Sequence, residues 1–256
     1  MKKSSIKIVL LLLLTILIGC TKDTKNEVLV LGTIHSGHYT EKEFDLEVLT
    51  KLIKEINPDV ILTEIPPDRF QAAVDGFKRD DSISEPRVIR FPEYKDVIFP
   101  LSKTMDFEII PTAGWTRPMA QERQKKLRAI RQDSTRQEDW KAYTEAGVQS
   151  DLALKATGES RNDPYFIHTD TYDSIYNISL QAYNKLFNVE LGLGGWDNIN
   201  IAHYWNIHKA LEKYKNQGKR VLITYGAGHK GWFLKELRLR DDITLLEMKP
   251  FLDKIQ

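Results

Sequence analysis

Two histidines and a glutamate each follow an apolar run that is typical of a buried strand, and their side chains can do chemistry together. His35 ends the segment Gly-Thr-Ile-His, and His229 ends the segment Gly-Ala-Gly-His near the other end of the chain. Glu64 closes a third apolar run, Val-Ile-Leu-Thr. Ligand sites of open α/β sheets lie beyond the carboxyl ends of the strands. We therefore predict that His35, Glu64 and His229 form one site at one edge of a sheet.

Three interpretations of these residues are open. A carboxylate and two imidazoles are a suitable ligand set for Zn, Mn, Fe or Co, with positions left for water. The same groups suit a metal-free hydrolase in which a carboxylate or an imidazole is the general base. In the third interpretation they carry no chemistry, and each histidine caps a turn while Glu64 binds the amides behind Pro66.

The remaining histidines are weaker candidates. His38 is expected to decorate the loop after His35 rather than join the site. His203 and His208 lie about 140° apart on a predicted helix, so they cannot share one ligand face, although His203 could face the cleft. His168 is expected in a solvated polar loop.

Strand and helix patterns alternate along the chain, which predicts an α/β fold with a mainly parallel central sheet flanked by helices. Strands are predicted at residues 28–32, 59–64, 106–111, 221–225 and 243–248, the last at an edge. Helices are predicted at 41–56, 198–216 and 232–239. The opening strand–helix–strand unit predicts a parallel pair with a right-handed crossover. Residues 117–190 are polar and predict an inserted helical layer or lid.

The chain begins with a pattern that is typical of export. Residues 1–20 combine a positive start with an apolar stretch too short to span a bilayer, and end in Leu-Ile-Gly-Cys. This ending resembles the lipobox of bacterial lipoproteins, which implies cleavage before Cys20 and its acylation. Residues 21–27 would then be a tether and 28–256 a single domain. We expect a cell-envelope protein held by lipidated Cys20 on the inner or outer membrane, facing the periplasm or the cell surface.

The charge balance argues against a nucleic-acid-binding protein, and the cysteine content excludes a fold held by disulfides. Removing the leader would take away three lysines, so the formal charge would change from +1 to −2. Such a balance argues against a nucleic-acid partner, which usually leaves a basic footprint. Cys20 is the only cysteine, so no disulfide can form within the chain.

The opening Gly-Thr-x-His, the Leu-x-Glu-x-Pro around Glu64 and the closing Gly-Ala-Gly-His together resemble the TraB/GumN/Tiki superfamily. Its wider relatives include erythromycin esterase-like and ChaN-like haem-binding proteins. The resemblance implies that His35, Glu64 and His229 are ligands or bases of an active site. It further implies that Asn198 matches the second residue of an Arg-Asn pair, whose arginine is missing here, and that Arg117 matches an Asp-Arg element without its acid.

This resemblance favours a metal-dependent hydrolase that cleaves a peptide or ester bond of a peptide or small-molecule substrate. In this interpretation His35, Glu64 and His229 hold or assist a divalent metal, while Arg117 and Asn198 hold substrate oxygens. The alternative is a non-enzymatic lipoprotein that captures haem or another small ligand in the same cleft.

Lipidation is directly testable at Cys20. We expect the protein to incorporate radioactive palmitate in cells, and we expect Cys20→Ala to abolish the label because the acylated thiol is then missing. Equal labelling of both proteins would rule out this anchor.

Overall fold

The computed structural model describes residues 24–256, so the predicted leader and Cys20 lie outside the described residues. Five strands form one sheet, and every strand pair in it is parallel. The strands are β1 (Asn26–Thr33), β2 (Val60–Thr63), β3 (Glu108–Pro111), β4 (Arg220–Gly226) and β5 (Ile243–Leu245). This architecture confirms the predicted α/β class. The first strand begins two residues earlier than predicted, so residues 26 and 27 of the expected tether belong to β1.

The strand order across the sheet is β3-β2-β4-β1-β5, and it places β4 between β1 and β2. The predicted β1–β2 pair is therefore wrong: the strands are parallel but do not touch, because β4 hydrogen-bonds to both. Thr33 of β1 pairs with Gly226 of β4, and Thr63 of β2 pairs with Thr224. Three strands consequently end at nearly the same level.

Helices cover both faces of the sheet. They are α1 (Leu46–Ile56), α2 (Pro67–Asp80), α3 (Phe99–Leu101), α4 (Arg117–Gln132), α5 (Gln137–Thr157), α6 (Pro164–Ile167), α7 (Asp170–Leu191), α8 (Trp196–Lys213), α9 (Ala227–Leu237) and α10 (Lys249–Leu252). Alternate strand residues enter two separate cores, as the two-residue period of a strand requires. Leu29, Leu31 and Ile61 face a core built with α1 and α2, whereas Val28 and Val30 face one built with α8 and α9.

Two local features shift the predicted helix boundaries. The helix predicted from residue 41 begins at Leu46, because residues 42–44 form a 3₁₀ turn and Asp45 caps α1 by accepting the N–H of Val48. The helix predicted from residue 232 begins at Ala227, directly after β4, so His229 lies in the first turn of α9 and not in a loop.

The predicted insertion is helical and has a small core of its own. Helices α4, α5, α6 and α7 fill residues 117–191. A cluster centred on Ile130, Tyr183, Phe187 and Leu191 packs α4, α5 and α7 together, whereas α6 packs into the core that contains Leu29 and Leu31. Trp196, at the start of α8, packs against the same cluster. No helix within residues 24–256 is long and apolar enough to cross a membrane.

His168 fastens this helical region to the sheet. Its Nε2 accepts the N–H of Gly32 at 3.1 Å, and its Nδ1 donates to the carbonyl of Pro164 at 2.6 Å. Burial lowers the pKa of His168 from 6.5 to about 3. The prediction of a solvated loop is therefore wrong: both ring nitrogens of His168 bind backbone groups, and this contact requires the neutral imidazole.

This contact predicts acid sensitivity. The unfolded chain binds a proton at His168 below about pH 6.5 and the folded chain does not, so the stabilisation is complete above that pH and is lost as the pH falls toward 3. Between pH 7 and pH 5 the loss should be about 1–2 kcal/mol. In His168→Gln, whose amide oxygen can still accept from Gly32, urea unfolding should show a smaller pH dependence by that amount.

His208→Gln is a matched control, because His208 contacts Arg240 and lies outside this junction. We expect it to keep the pH dependence of the parent protein. The same pH dependence in parent and His168→Gln would contradict the assignment.

Candidate active site

The three residues predicted from the sequence meet at the carboxyl edge of the sheet. His35 follows β1, Glu64 follows β2, and His229 follows β4 in the first turn of α9. Oε2 of Glu64 accepts the backbone N–H of Gly226 at 3.0 Å and lies 3.9 Å from Nε2 of His35. A carboxylate that bridges two strand ends therefore sits beside the first histidine.

His35 is oriented by a carboxylate that the sequence analysis did not identify. Its Nδ1 lies 2.6 Å from Oε1 of Glu93, which also accepts the hydroxyl of Thr33 at 3.0 Å. Glu93 is fully buried, and its Oε2 has no hydrogen-bond partner in the described part of the chain. A carboxylate accepts hydrogen bonds, so in the neutral His35 ring Nδ1 carries the proton and Nε2 keeps its lone pair.

The electrostatics and backbone of His35 are unusual. Burial alone would lower the pKa of His35, but the hydrogen bond and charge of Glu93 outweigh burial and raise it above 6.5. The side chain remains 35% exposed, so a ligand can reach it. Its φ of 49° lies in the left-handed region. Such a conformation costs about 1–3 kcal/mol in a non-glycine residue and is concentrated at functional sites.

The His229 ring is held by a hydrogen bond at its edge and by ring stacking on its face. Its Nδ1 lies 2.7 Å from Oδ1 of Asn200, and the amide nitrogen of Asn200 donates to the carbonyl of Trp196 at 2.9 Å. This second bond fixes which end of the amide accepts, so Nδ1 of His229 is the donor and Nε2 has the free lone pair. The Trp196 ring stacks on His229 with 4.7 Å between centroids. Burial lowers the pKa of His229, which keeps the ring neutral.

His203 has the opposite proton arrangement. Its Nδ1 accepts the backbone N–H of Gly114 at 2.7 Å, so in the neutral ring Nε2 must carry the proton. That Nε2 is buried and has no partner within residues 24–256. Burial lowers the pKa of His203 well below 6.5. His203 thus presents an unsatisfied N–H donor, and an unpaired buried donor costs about 1–3 kcal/mol unless an acceptor meets it.

Glu64, His203 and His229 form a buried group that could hold a metal ion. Each offers one ligand atom, and these atoms all lie within 4.8 Å of one another. The rings of His203 and His229 meet edge to face at 5.0 Å. The prediction that His203 could face the cleft thus agrees with its position.

Backbone and hydroxyl contacts fix the level of the strand ends. The N–H of Glu64 donates to the hydroxyl of Tyr94, which in turn donates to the carbonyl of Thr224, both at 2.8 Å. At Gly226 a Cβ atom would lie only 2.6 Å from Nε2 of His35. The glycine of the second motif is therefore required by the close approach of the first histidine.

In the described residues, neither of the two predicted substrate-binding residues hydrogen-bonds to His35, Glu64 or His229. The amide of Asn198 donates to the carbonyl of Gly192 at 2.7 Å and stabilises the turn before α8, whereas Asn200, two residues later, reaches His229. Arg117 begins α4 and lines a neighbouring cavity. His38 is buried between the N–H of Ile34 and the carbonyl of Phe44, so it is a structural residue of the loop.

The sequence held a signal for Asn200, which the sequence analysis did not identify. Asn200 and His203 are three positions apart on a predicted helix, and this spacing places them on one face. Glu93 gave no such signal. It lies in a π-helical segment, residues 93–98, and this conformation is rare and concentrated at functional sites.

Comparison with known proteins returns no relative for this chain. No family model matches it, and no curated protein or solved structure does either. What defines the site is its geometry: three neighbouring strand ends, and histidine proton positions set by fixed hydrogen-bond partners.

Histidine nitrogen NMR can test this proton arrangement. At about pH 8.5, where the rings are largely neutral, we expect the proton on Nδ1 in His35 and His229 and on Nε2 in His203. His38 and His168 are internal references, because each pairs Nδ1 with a carbonyl and Nε2 with a backbone N–H. A proton on Nδ1 of His203 would contradict the geometry described above.

Proposed function

We propose that this protein is a lipid-anchored exported hydrolase that cleaves a peptide or ester bond at His35, Glu64 and His229 with the help of a divalent metal. The observation that carries the proposal is the proton arrangement. Both His35 and His229 engage Nδ1 with a fixed oxygen and leave Nε2 free beside a buried carboxylate. The resemblance of the two glycine–histidine motifs to the TraB/GumN/Tiki superfamily supports the same reaction class.

The side chains present fit a metal. Histidines that bind metals usually donate their other ring N–H to a carboxylate, carbonyl or water, which fixes the ring and its tautomer. Glu93 and Asn200 do this for His35 and His229. His203 departs from the pattern because its free nitrogen carries a proton. We therefore assign the metal to His35, Glu64 and His229, with Mn, Co, Zn or Fe as the candidates.

A divalent metal at this position would polarise the substrate carbonyl and lower the pKa of a water beside it. The protein's own groups supply the remaining steps. The Glu64 carboxylate takes the proton of the attacking water as the water oxygen adds to the carbonyl carbon. It then gives this proton to the leaving oxygen or nitrogen as the ester or amide bond breaks, so that an acid and an alcohol or amine are released. Nε2–H of His203, which has no acceptor among the described residues, donates to a substrate oxygen in the buried part of the site. Charge that develops on that oxygen is stabilised without reorganisation of the ring.

Export and anchoring belong to the same proposal. Five residues, Thr21 to Lys25, separate Cys20 from β1. A fully extended chain of that length spans about 17 Å. A domain acylated at Cys20 would thus be held close to the membrane surface, and its substrate would be a molecule of the cell envelope or its surroundings.

Metal content and hydrolysis test the function together. We expect the purified protein to contain stoichiometric metal by elemental analysis, and His35→Ala and His229→Ala to lose it along with at least about 100-fold of the activity on model esters and peptides. Asn200→Leu should weaken metal affinity about 10–100-fold, because it removes the partner that orients His229.

Two variants make the result specific. His208→Gln leaves the site untouched and should keep metal and activity. His203→Gln should keep the metal and lose activity, since it removes a donor and not a ligand. Undiminished metal in both His35→Ala and His229→Ala would exclude the proposed site, whereas a haem Soret band lost in His35→Ala, without hydrolysis, would favour the binding lipoprotein instead.

A further inference from the structure

A cavity beside the candidate active site is lined by four arginines, which we call the arginine pocket: Arg69, Arg87, Arg90 and Arg117. Its volume is about 480 Å³, within the range of small-molecule sites. Thr116, Gln121 and Gln124 add neutral polar groups to its lining. Nothing in the steps proposed for hydrolysis uses this cavity.

The pocket holds more positive charge than its own acids balance. Asp68 and Glu85 are its only acidic lining residues, against four arginines. Asp68 lies 3.3 Å from Arg69, and Glu85 lies 3.9 Å from the same guanidinium. Oε2 of Glu85 is also occupied by the backbone N–H groups of residues 87 and 88. Within residues 24–256, no carboxylate lies within ion-pair distance of Arg87, Arg90 or Arg117.

One wall of the pocket is shared with the catalytic cluster. The Arg87 guanidinium lies over the Phe91 ring at 5.4 Å, and Phe91 meets the His35 ring edge to face at 4.9 Å. On the other side, the Trp115 ring lies 6.3 Å from that of His203. The lining of the pocket therefore contacts the site through Trp115 beside His203, and through Arg87 and Phe91 beside His35.

Helix α4 also begins at this cavity. Thr116 caps it by accepting the N–H of Met119, and residues 116, 117, 120 and 121 line the pocket. Pro118 has no N–H, and the N–H groups of Met119 and Ala120 are bound by Thr116, so the contribution of this helix is the positive end of its dipole, which favours negative charge. This contribution adds to the guanidinium groups, whose planar forks match the oxygens of carboxylates and phosphates.

We propose that the arginine pocket binds an anionic group of the substrate, a carboxylate or a phosphate, and thereby positions a neighbouring ester or amide bond at His35, Glu64 and His229. The positioning of the scissile bond rests on the proposed hydrolase function. The anion-binding half stands on the pocket alone and can be measured without any reaction.

Binding is the first measurement. The full-length protein is titrated by calorimetry with inorganic phosphate and with glutarate at constant ionic strength. We expect one of them to bind, and Arg87→Gln and Arg117→Gln each to weaken binding at least about tenfold, since hydrogen bonds to charged groups contribute about 1.5–3 kcal/mol. Arg128→Gln, an exposed position on the same helix, makes the same charge change outside the pocket and should bind normally.

The outcome identifies the anion. Tighter binding of phosphate assigns a phosphoryl group, and tighter binding of glutarate assigns a carboxylate. Binding of neither anion, or binding that is equal in Arg87→Gln, Arg117→Gln and Arg128→Gln, would overturn the proposal.

Selectivity in hydrolysis is the second measurement. Nitrophenyl esters of acetate and of glutarate or a phosphorylated acid differ in the charge of the acyl group, and we expect kcat/KM to favour the anionic ester. Arg87→Gln should reduce this preference about tenfold and Arg128→Gln should not change it. If neither ester is hydrolysed while the binding result holds, the reaction is wrong and the anion pocket stands. If esters are hydrolysed without anion binding, the pocket is wrong and the reaction stands.

Discussion

Strand β4 hydrogen-bonds along its length to β1 on one side and β2 on the other, and the register of these two ladders determines the site. Because Thr33 pairs with Gly226 and Thr63 with Thr224, β1 and β4 end together and β2 ends two residues before them. Glu64 then accepts the N–H of Gly226, so the β2 end is tied to the β4 end by the same carboxylate that approaches His35. A register shift of one residue would turn these side chains to the other face of the sheet and remove the cluster.

Given this frame, the chemistry of the site depends on which nitrogen of each ring carries the proton. In the neutral rings, Glu93 and Asn200 leave the free lone pairs of His35 and His229 on Nε2, beside Glu64, while the Gly114 N–H places the proton of His203 on its buried Nε2. Burial lowers the pKa of His203 and His229, so these two rings stay neutral and keep that arrangement near neutral pH. One buried cluster thus contains two imidazole lone pairs, a carboxylate and a single N–H donor. This composition suits binding of a cation and of an oxygen side by side.

Much of this could be predicted from the sequence, because strands and their ends have local signals. Apolar runs that stop at a glycine, a proline or a charged residue predicted the five strands, and the position of His35, Glu64 and His229 after three of them predicted that they meet. The neighbours of β1 could not be obtained in this way, since strand order depends on long-range packing and not on any one segment. Glu93 reaches His35 only through a π-helical segment. The polar segment around His168 predicted a solvated side chain, but His168 instead accepts the N–H of Gly32, a contact that no local pattern indicates.

The helical insertion positions the second histidine and does not merely cover the sheet. Trp196 packs on one side against the insertion core of Ile130, Tyr183, Phe187 and Leu191, and its ring stacks on His229. Its carbonyl also orients Asn200, which binds His229 at Nδ1. Both restraints on the ring therefore pass through one tryptophan that belongs to the packing of the insertion. A movement of these helices as a free lid would break the stacking and the hydrogen bond together, so the physical role that fits the insertion is to preorganise His229 against the strand ends.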